Sequence, residues 1–441
     1  MVKVVKFGGS SLSNGQQFEK VKKIIEADKS RRIVIVSAPG KRNSGDNKIT
    51  DLLYLCNAHL KYDVSFDGIF EKIQQRYVDI RNECGLNTDI EKLLSDIKAK
   101  MKKGMSVDYL VSRGEYLNAV LMADYLGFEF LDAKDWIAFR YDKSVDIAKS
   151  EENLRNIYDE GRKIVIPGFY GADPNGEVVT FSRGGSDVTG AIAAAAVDAD
   201  VYENWTDVQG ILMADPRIVD NPQTIEKVTY NELRELSYMG AAVLHEDTVF
   251  PVREKNIPVN IRDTNNPKHP GTIIRESFQE DTLTESERFI TGITGKKNYT
   301  IVNIYKNSSD GVNTLKKALD VCEQFGVTVE QIPWGIDSFS IVMTDSSIDG
   351  KIYQLIGALD EACKPDNIGF TDGISLIAIV GRHMAYSAGI SGKIFAALGD
   401  NKINIRTIEQ GSDEINIIVG VATNDFEKAI QVLYNSFAKH K

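Results

Sequence analysis

The sequence has little cysteine, and what it has is dispersed. Cys56, Cys84, Cys322 and Cys363 form no C-x-x-C pair, which excludes a zinc ribbon or a dithiol redox motif and makes reduced, mostly buried thiols the expectation. The five histidines are equally scattered. None is assigned chemistry, and no metal site built from protein side chains is expected. Long apolar runs are missing too: nothing approaches the about 18 residues that suggest a membrane-spanning helix. Met1-Val2-Lys3-Val4-Val5-Lys6 enters a strand-like pattern without a charged-then-apolar leader, so a cytoplasmic protein is expected. Basic residues are in deficit, with 52 Lys and Arg against 63 Asp and Glu and a net charge of -11. That balance excludes a generic nucleic-acid binder, because a phosphate backbone calls for a clustered cationic excess. Any anion must be bound locally.

What is present is an ordinary globular composition, 42% hydrophobic and 26% charged, which excludes disorder, collagen-like repeats and a disulfide scaffold. A length of 441 residues suggests roughly three folded units at about 150 residues each.

Over the first two-thirds, short β-branched runs alternate with helical patterns. Strands are expected at Lys3 to Phe7, Ile33 to Val36, Phe128 to Asp132, Ile164 to Pro167, Val178 to Phe181, Val201 to Glu203 and Val259 to Arg262. Helices are expected at Gln16 to Ala27, Thr50 to Tyr62, Ser65 to Glu83, Ile90 to Lys103, Arg113 to Tyr125, Asp187 to Ala199 and Tyr230 to Met239. This rhythm implies an α/β fold, a mainly parallel sheet sandwiched by helices, with ligands beyond the carboxyl ends of the strands.

After Pro267-Lys268-His269-Pro270-Gly271 the stretch Glu276 to Glu287 is polar and acidic and reads as a linker. Beyond it lies an internal repeat. Tyr299 to Tyr305, Gly311 to Phe325, Val327 to Ile332 and Ser338 to Met343 recur in order as Ile374 to Val380, Gly389 to Leu398, Ile403 to Glu409 and Glu414 to Val421, an offset of roughly 76 to 78 residues. With a closing helix in each copy (Ile348 to Ala362, Asp425 to Ala438), each unit has the ferredoxin-like order β-α-β-β-α-β. The expected organisation is a first domain over residues 1–275, a linker over 276–290, and repeat units over 291–370 and 371–441.

The sharpest motif is Lys6-Phe7-Gly8-Gly9-Ser10-Ser11. A strand ends in a lysine and two glycines turn the chain into a helix expected to begin near Ser11. Backbone N–H groups at Gly8 and Gly9 can approach an anion closely, and the helix start adds its dipole. The spacing excludes both the P-loop and the dinucleotide fingerprint. Phe181-Ser182-Arg183-Gly184-Gly185-Ser186-Asp187 repeats the logic, with Ser186 or Asp187 as expected N-cap and Arg183 placed to grip a carboxylate. Further candidates are Ser37-Ala38-Pro39-Gly40 leading to Thr50, Ser112-Arg113-Gly114-Glu115 at an expected helix start, and Thr206-Asp207 through Asp215-Pro216-Arg217. Each also has a bland reading as a turn, a cap or a first-turn charge.

Together, cations and helix starts without a His, Cys or metal-ligand cluster suit the stabilisation of phosphoryl charge. An alcohol acceptor calls for a general base. A carboxylate, ionised at neutral pH with a reference pKa of about 4, does not. The pattern therefore favours a carboxylate acceptor and an acyl phosphate product.

These motifs, in this order along the whole chain, resemble the aspartate kinases of the amino-acid kinase family, and the duplicated tail resembles that family's paired ACT domains. In the second copy Gly389-Ile390-Ser391-Gly392-Lys393, Ile403-Asn404-Ile405-Arg406 and Gln410-Gly411-Ser412-Asp413 carry the likeness. The resemblance implies transfer of the γ-phosphoryl group of MgATP to the β-carboxylate of L-aspartate, the first step of lysine, threonine and methionine biosynthesis, with ATP and Mg2+ required. By motif position it implies that Lys6 neutralises the transferring group, that Phe7, Gly8, Gly9, Ser10 and Ser37 border the phosphates, and that Asp187 fixes Lys6. Thr50, Glu115, Arg183 and Ser186 would hold aspartate, Glu115 through its ammonium and Arg183 through a carboxylate. Thr206, Asp207, Leu212 and Arg217 would border the nucleotide. The family commonly shows Gly-Ala-Lys-Val-Leu-His-Pro, whereas this chain reads Gly240-Ala241-Ala242-Val243-Leu244-His245-Glu246. With Ala242 for the lysine, nucleotide binding is expected to rest more on Arg217, Mg2+ and helix dipoles.

In the tail, Asp310, Gly311, Val312, Asn313 and Glu330 lie where the family binds an effector amino acid, lysine or threonine or both, and a homodimer or homotetramer through the ACT units is implied. With the sequence ending at Lys441, no fused homoserine dehydrogenase module is expected. Two alternatives stay open at this point, another enzyme of the family with a different acceptor and a non-catalytic amino-acid sensor.

Overall fold

The structure is a computed structural model that describes residues 1–159, 161–182, 184–241, 244, 246–278, 289–306, 311–385 and 387–438. The described residues form two compact units. The first comprises Met1–Ile211, Glu226–Tyr230 and Val243–Phe278; the second comprises Leu212–Ile225, Asn231–Ala242 and Gln279–Lys441.

In chain order the first unit contains β1 (Lys3–Phe7), α1 (Gly15–Glu26), β2 (Arg31–Val36), α2 (Ile49–Lys61), α3 (Asp67–Glu83), α4 (Ile90–Lys100), α5 (Val107–Leu126), β3 (Glu129–Phe130), α6 (Ile147–Ile157), β4 (Ile164–Pro167), β5 (Tyr170–Ala172), β6 (Val178–Thr180), α7 (Gly185–Ala196) and β7 (Val201–Thr206). After β8 (Lys227–Thr229) comes α8 (Tyr230–Tyr238), which runs on into the second unit. Then α9 (Phe250–Glu254), β9 (Val259–Asp263) and β10 (Thr272–Arg275) complete the first. Its sheet has the order β3-β4-β2-β1-β7-β9-β10-β8. Every neighbouring pair is parallel except β9 with β10. The central strands are continuous apolar runs because both faces are covered: Val4, Val5, Ile33, Val34, Ile35, Ile164, Val165 and Ile166 are each at most 1% exposed. The expected strand Val178 to Phe181 exists but pairs with β5 in a separate ribbon off this sheet.

Two expectations about helix starts are corrected. Ser10 and Ser11 lie in a 3-10 turn, Gly9–Leu12, and α1 begins only at Gly15, where the Asn14 side chain accepts the Gln17 N–H. The helix expected from Arg113 begins at Val107, capped by Ser106, so Ser112-Arg113-Gly114-Glu115 sits inside α5 rather than at its start. Gly114 lies within the helix in both the expectation and the structure. It is a packing residue, since a Cβ there would lie 2.9 Å from the Ala38 Cβ.

The second unit holds β11 (Gly292–Tyr305), α10 (Gly311–Gln324), β12 (Val329–Gln331), β13 (Ser338–Thr344), α11 (Asp345–Ile348), α12 (Ile352–Cys363), β14 (Asn367–Val380), α13 (Ile390–Asp400), β15 (Ile405–Glu409), β16 (Asn416–Ala422) and α14 (Phe426–Phe437). They make one sheet of order β12-β13-β11-β14-β16-β15. The two long strands are shared between the repeats. Tyr299 to Tyr305 of β11 pairs with Asn367 to Ile374 of β14, while Gly292 to Lys296 pairs with Leu376 to Val380. The second repeat thus takes its last strand from Gly292 to Lys296, ahead of the opening strand of the first repeat at Tyr299. Val302, Ile304, Phe339, Ile341 and Met343 pack with Ala318, Leu355 and Leu359 beneath the helices of the first repeat. Chain from before the tail joins this unit: the Ile293 N–H donates to the Met213 carbonyl at 2.7 Å, and Glu232 of α8, 0% exposed, accepts from Thr291 Oγ1 at 2.6 Å and from the Arg382 N–H at 2.8 Å.

All four cysteines are free thiols, three buried and Cys84 half-buried. Among the described residues no helix is long and apolar enough to cross a membrane.

Candidate active site

The site lies in the first unit, at the carboxyl ends of β1, β2, β4 and β7. Lys6, the next-to-last residue of β1, is 8% exposed. Its Nζ is 2.7 Å from Asp187 Oδ1 in the first turn of α7 and donates to Asn204 Oδ1 at 3.3 Å. Asn204 stands opposite Lys6 in the β1–β7 register and donates through Nδ2 to Asp187 Oδ1 at 2.8 Å. Lysine, aspartate and asparagine close a triangle from three elements that meet at one corner of the sheet. The motif reading found Lys6 and Asp187 but not Asn204, whose one signal is an amide among the buried residues of strand β7.

Helix α7 begins at Gly185, and its N-cap is Gly184 at φ +55°, so neither Ser186 nor Asp187 caps it as expected. The substitute has a use. A left-handed cap without a side chain leaves Asp187 unoccupied by capping and available to Lys6. Ser186, 8% exposed, packs against Gly168 after β4, where a Cβ would lie 2.6 Å from its Oγ. Arg183 lies outside the described residues.

The turn after β1 is braced from two sides. Gly8 donates its N–H to the Trp205 carbonyl at 2.9 Å, and Gly9 accepts the Gly40 N–H at 2.8 Å. The two loops touch backbone to backbone: a Cβ on Gly40 would lie 2.6 Å from the Gly9 carbonyl carbon, and one on Gly9 2.8 Å from the Ala38 oxygen. Gly40→Ala is therefore expected to push the turn apart, lowering turnover at least about tenfold and the midpoint of thermal unfolding by several degrees. Steady-state kinetics and a thermal melt check both. Phe7 sends its ring into the core, stacked on Trp205 with centroids 6.0 Å apart, so only its backbone belongs to the site. Ser37 receives the Asn118 amide on its carbonyl at 2.7 Å. Ser10 and Thr50 are half-buried, Thr50 as the second residue of α2.

Glu115 is 5% exposed and faces this region from the middle of α5. Burial pushes its carboxyl up to about 8, opposed mainly by the Ala38 backbone N–H. Among the described residues its Oε2 has no hydrogen-bond partner. Neighbouring Arg113 cannot serve as one: its guanidinium bonds to Ser112 Oγ and lies over the rings of Tyr109, Tyr116 and Tyr170. A buried carboxyl with an open oxygen beside the strand ends is suited to a cationic ligand group.

Thr206 ends β7 and donates through Oγ1 to the carboxylate of Asp207, the next residue, at 3.1 Å. Leu212 and Arg217 belong instead to the second unit. There Leu212 bridges Thr224, and Arg217, 86% exposed, is held by Asp215 at 2.5 Å. In the same unit Gly311, Val312 and Asn313 open α10, and Asp310 lies outside the described residues. The Glu330 carboxylate accepts from Tyr238 Oη at 2.7 Å and lines an open cavity of about 600 Å³ with Lys296, Tyr299, Asp345 and Asp349. Gly311 to Asn313 are not among its walls; Gly311 packs against Trp334. Ala242 is also outside the described residues. No group of three His, Cys, Asp or Glu side chains able to hold a metal ion occurs among the described residues.

Residues 1–263 match the amino acid kinase family and residues 377–437 match an ACT domain. The chain is 35% identical over 451 aligned positions to aspartokinase 3 of Bacillus subtilis, covering 99% of this chain and 98% of that protein. It is similar in structure to the aspartate kinase of Clostridium acetobutylicum, described as an allosteric enzyme, at 52% identity and a TM-score of 0.92 over 99% of this chain and 100% of that one. It is also similar to E. coli aspartokinase III, solved with aspartate and ADP and, separately, with lysine and aspartate. For the former complex the identity is 25% and the TM-score 0.74, with both chains covered to 100%; for the latter they are 25% and 0.73, with both covered to 99%.

Proposed function

The chain belongs to the amino acid kinase family, and from that premise we propose that it is an ATP-dependent aspartate kinase, transferring the γ-phosphoryl group of ATP to the β-carboxylate of L-aspartate. The observation that carries the reading is the Lys6–Asp187–Asn204 triangle beside the Gly8-Gly9 turn, with the open carboxyl of Glu115 across the same strand ends. A carboxylate oxygen of aspartate attacks the γ-phosphorus, the bond to the β,γ-bridging oxygen breaks, and ADP leaves with that electron pair. The acceptor is already ionised, so no proton is moved and no base is needed. What the protein supplies is charge and position. Lys6 neutralises the transferring group, and Gly9 and Ser10 offer backbone N–H groups to phosphate oxygens, with Ser37 nearby; the Gly8 N–H, expected to join them, is instead taken by the Trp205 carbonyl. Asp187 and Asn204 hold the ammonium of Lys6 on station. Glu115 takes the substrate ammonium, and Thr50, Ser186 and Arg183 the rest of aspartate. Thr206 and Asp207 border the nucleotide.

Mg2+ enters as part of the substrate MgATP. Such ions keep several waters and take one or two carboxylates plus phosphate oxygens rather than a full protein cage, and Asp207, exposed at the end of β7, has the donor chemistry for it. The ACT unit is the seat of feedback by lysine, threonine or both, and the chain works as a homodimer or homotetramer through it. Glu330 within its cavity supports an amino-acid effector there, and the lysine complex of the E. coli relative makes lysine the first to test.

An acyl phosphate is trapped by hydroxylamine. The purified protein with MgATP, aspartate and hydroxylamine is expected to form aspartyl hydroxamate, with glutamate a poor substitute. Folded protein that forms none, or that prefers glutamate, overturns the reading.

A further inference from the structure

Helix α3 carries none of the sequence motifs, yet it touches three elements around the site: the start of α1, the middle of α5 and the loop after β2. Glu83 accepts the Gly15 N–H at 2.6 Å, Tyr77 donates its hydroxyl to the Gly114 carbonyl at 2.7 Å, and Arg76 donates through Nη1 to the Gly40 carbonyl at 2.8 Å. Arg76 is the most demanding of these. It is a cation only 4% exposed, and its second arm, Nη2, reaches Asp46 Oδ2 at 2.5 Å. Asp46 is in turn fixed by the Arg42 N–H and Nε, each at 2.9 Å, and Arg42 Nη1 lies 3.7 Å from Asp79, back on α3. The guanidinium fork therefore ties both ends of the loop after β2 to one helix. Its Nε finds no acceptor among the described residues. Burying a charge at that cost needs a reason beyond filling volume.

The reason lies one contact further on. Gly40, held by Arg76 through its carbonyl, donates its own N–H to Gly9 and packs against Gly9 and Ser10 with no room for a methyl group. Displacing Gly40 displaces the turn. Resting on the kinase reading above, we propose that Arg76 is a positioning residue for the nucleotide phosphates: through Gly40 it sets the place of the Gly8-Gly9-Ser10 backbone without touching substrate. Only arginine does this, because two acceptors in different directions need a planar fork, and lysine offers a point charge.

The test uses the full chain and the hydroxamate assay, with turnover counted per mole of folded protein by circular dichroism. Arg76→Lys and Arg76→Gln are expected to lower kcat/KM for ATP by about ten- to a hundredfold while the KM for aspartate changes by less than about threefold. Guanidinium ion at low millimolar concentration is expected to restore part of the loss in Arg76→Ala, and sodium chloride at the same ionic strength is not. A purely structural arginine would shift the melting midpoint and show neither the split nor the rescue. ATP kinetics within about twofold of the parent's in Arg76→Lys and Arg76→Gln overturn the proposal. If those variants do not fold, Asp46→Asn replaces them: it frees one arm of the fork, and an unchanged KM for ATP there overturns the proposal equally. A parent that binds ATP by calorimetry but phosphorylates no aspartate would overturn the kinase reading alone, and ATP affinity of the variants would then decide the role of Arg76.

Discussion

Lys6→Met is expected to reduce aspartyl phosphate formation by about a thousandfold or more in kcat, with the fold retained. The magnitude follows from position. A full positive charge in a site shielded from water, aimed where phosphoryl charge develops, acts more strongly than a solvated one, and losing even a neutral donor at such a place costs about a hundred- to a thousandfold. Lys6 is nearly buried and pre-aimed by Asp187 at 2.7 Å and Asn204 at 3.3 Å, so no reorganisation is needed when charge appears. Methionine keeps the unbranched stem and removes only the ammonium. Asp187→Asn gives the informative contrast. It leaves the cation and loosens its anchor, so a smaller loss of about tenfold is expected. Single-turnover measurement of hydroxamate on both variants checks this. A folded Lys6→Met protein that keeps more than about a tenth of parental kcat would show that its charge is not used in the transition state.

The second large effect concerns Glu115. In the unliganded protein its carboxyl is pushed up to about 8, so it is mostly protonated at neutral pH, whereas pairing with a substrate ammonium requires the ionised form. Aspartate binding is therefore coupled to proton release, and the KM for aspartate is expected to fall as pH rises from 6 to 8. Calorimetry in buffers of different ionisation enthalpy measures the released proton directly. Glu115→Gln removes the charge, and the KM for aspartate is expected to rise about a hundredfold, the scale of losing one partner from a buried charge pair, and to become flat over that pH range. A KM in Glu115→Gln within threefold of the parent would assign the ammonium to some other group.

The same group sets a stability slope of known sign. Its folded-state value of about 8 lies above the ordinary 4.5, so the native state binds more protons than the unfolded state between these limits. The stabilisation is complete below about 4.5 and is lost as pH rises through about 8. Urea unfolding of the parent should show that decline, and Glu115→Gln should lack its share of it.

How much of this was legible in the sequence depended on whether the information was local. Lys6, Gly8, Gly9 and Asp187 were readable because strand-to-helix junctions advertise themselves in a few residues, by β-branched runs, paired glycines and a cation. Asn204 and Arg76 were not. Each acts on a residue far away in the chain, Asn204 on Lys6 and Arg76 on Gly40, and a polar side chain in a strand or helix carries no mark of such a partner. Glu115 was found for its type and misplaced in its helix. The expected start at Arg113 missed about two turns of α5 that open at the Ser106 cap, and Gly114 within it is glycine because Ala38 leaves no space for a side chain. Leu212 and Arg217 follow Thr206 and Asp207 closely in sequence, yet belong to the other unit.

The sequence by itself determined the α/β alternation, the duplicated tail and the chemistry of an anion site without a base, because hydrophobic period, turn residues and charge type are properties of short windows. Only the tertiary structure decided which groups share a site and which strands share a sheet. The charge of Glu115 depends on its burial, the aim of Lys6 on a strand and a helix converging upon it, and the last strand of the second repeat on a segment ahead of the first. Desolvation and pairing arise from neighbours in space, and the folded chain alone assigns those neighbours.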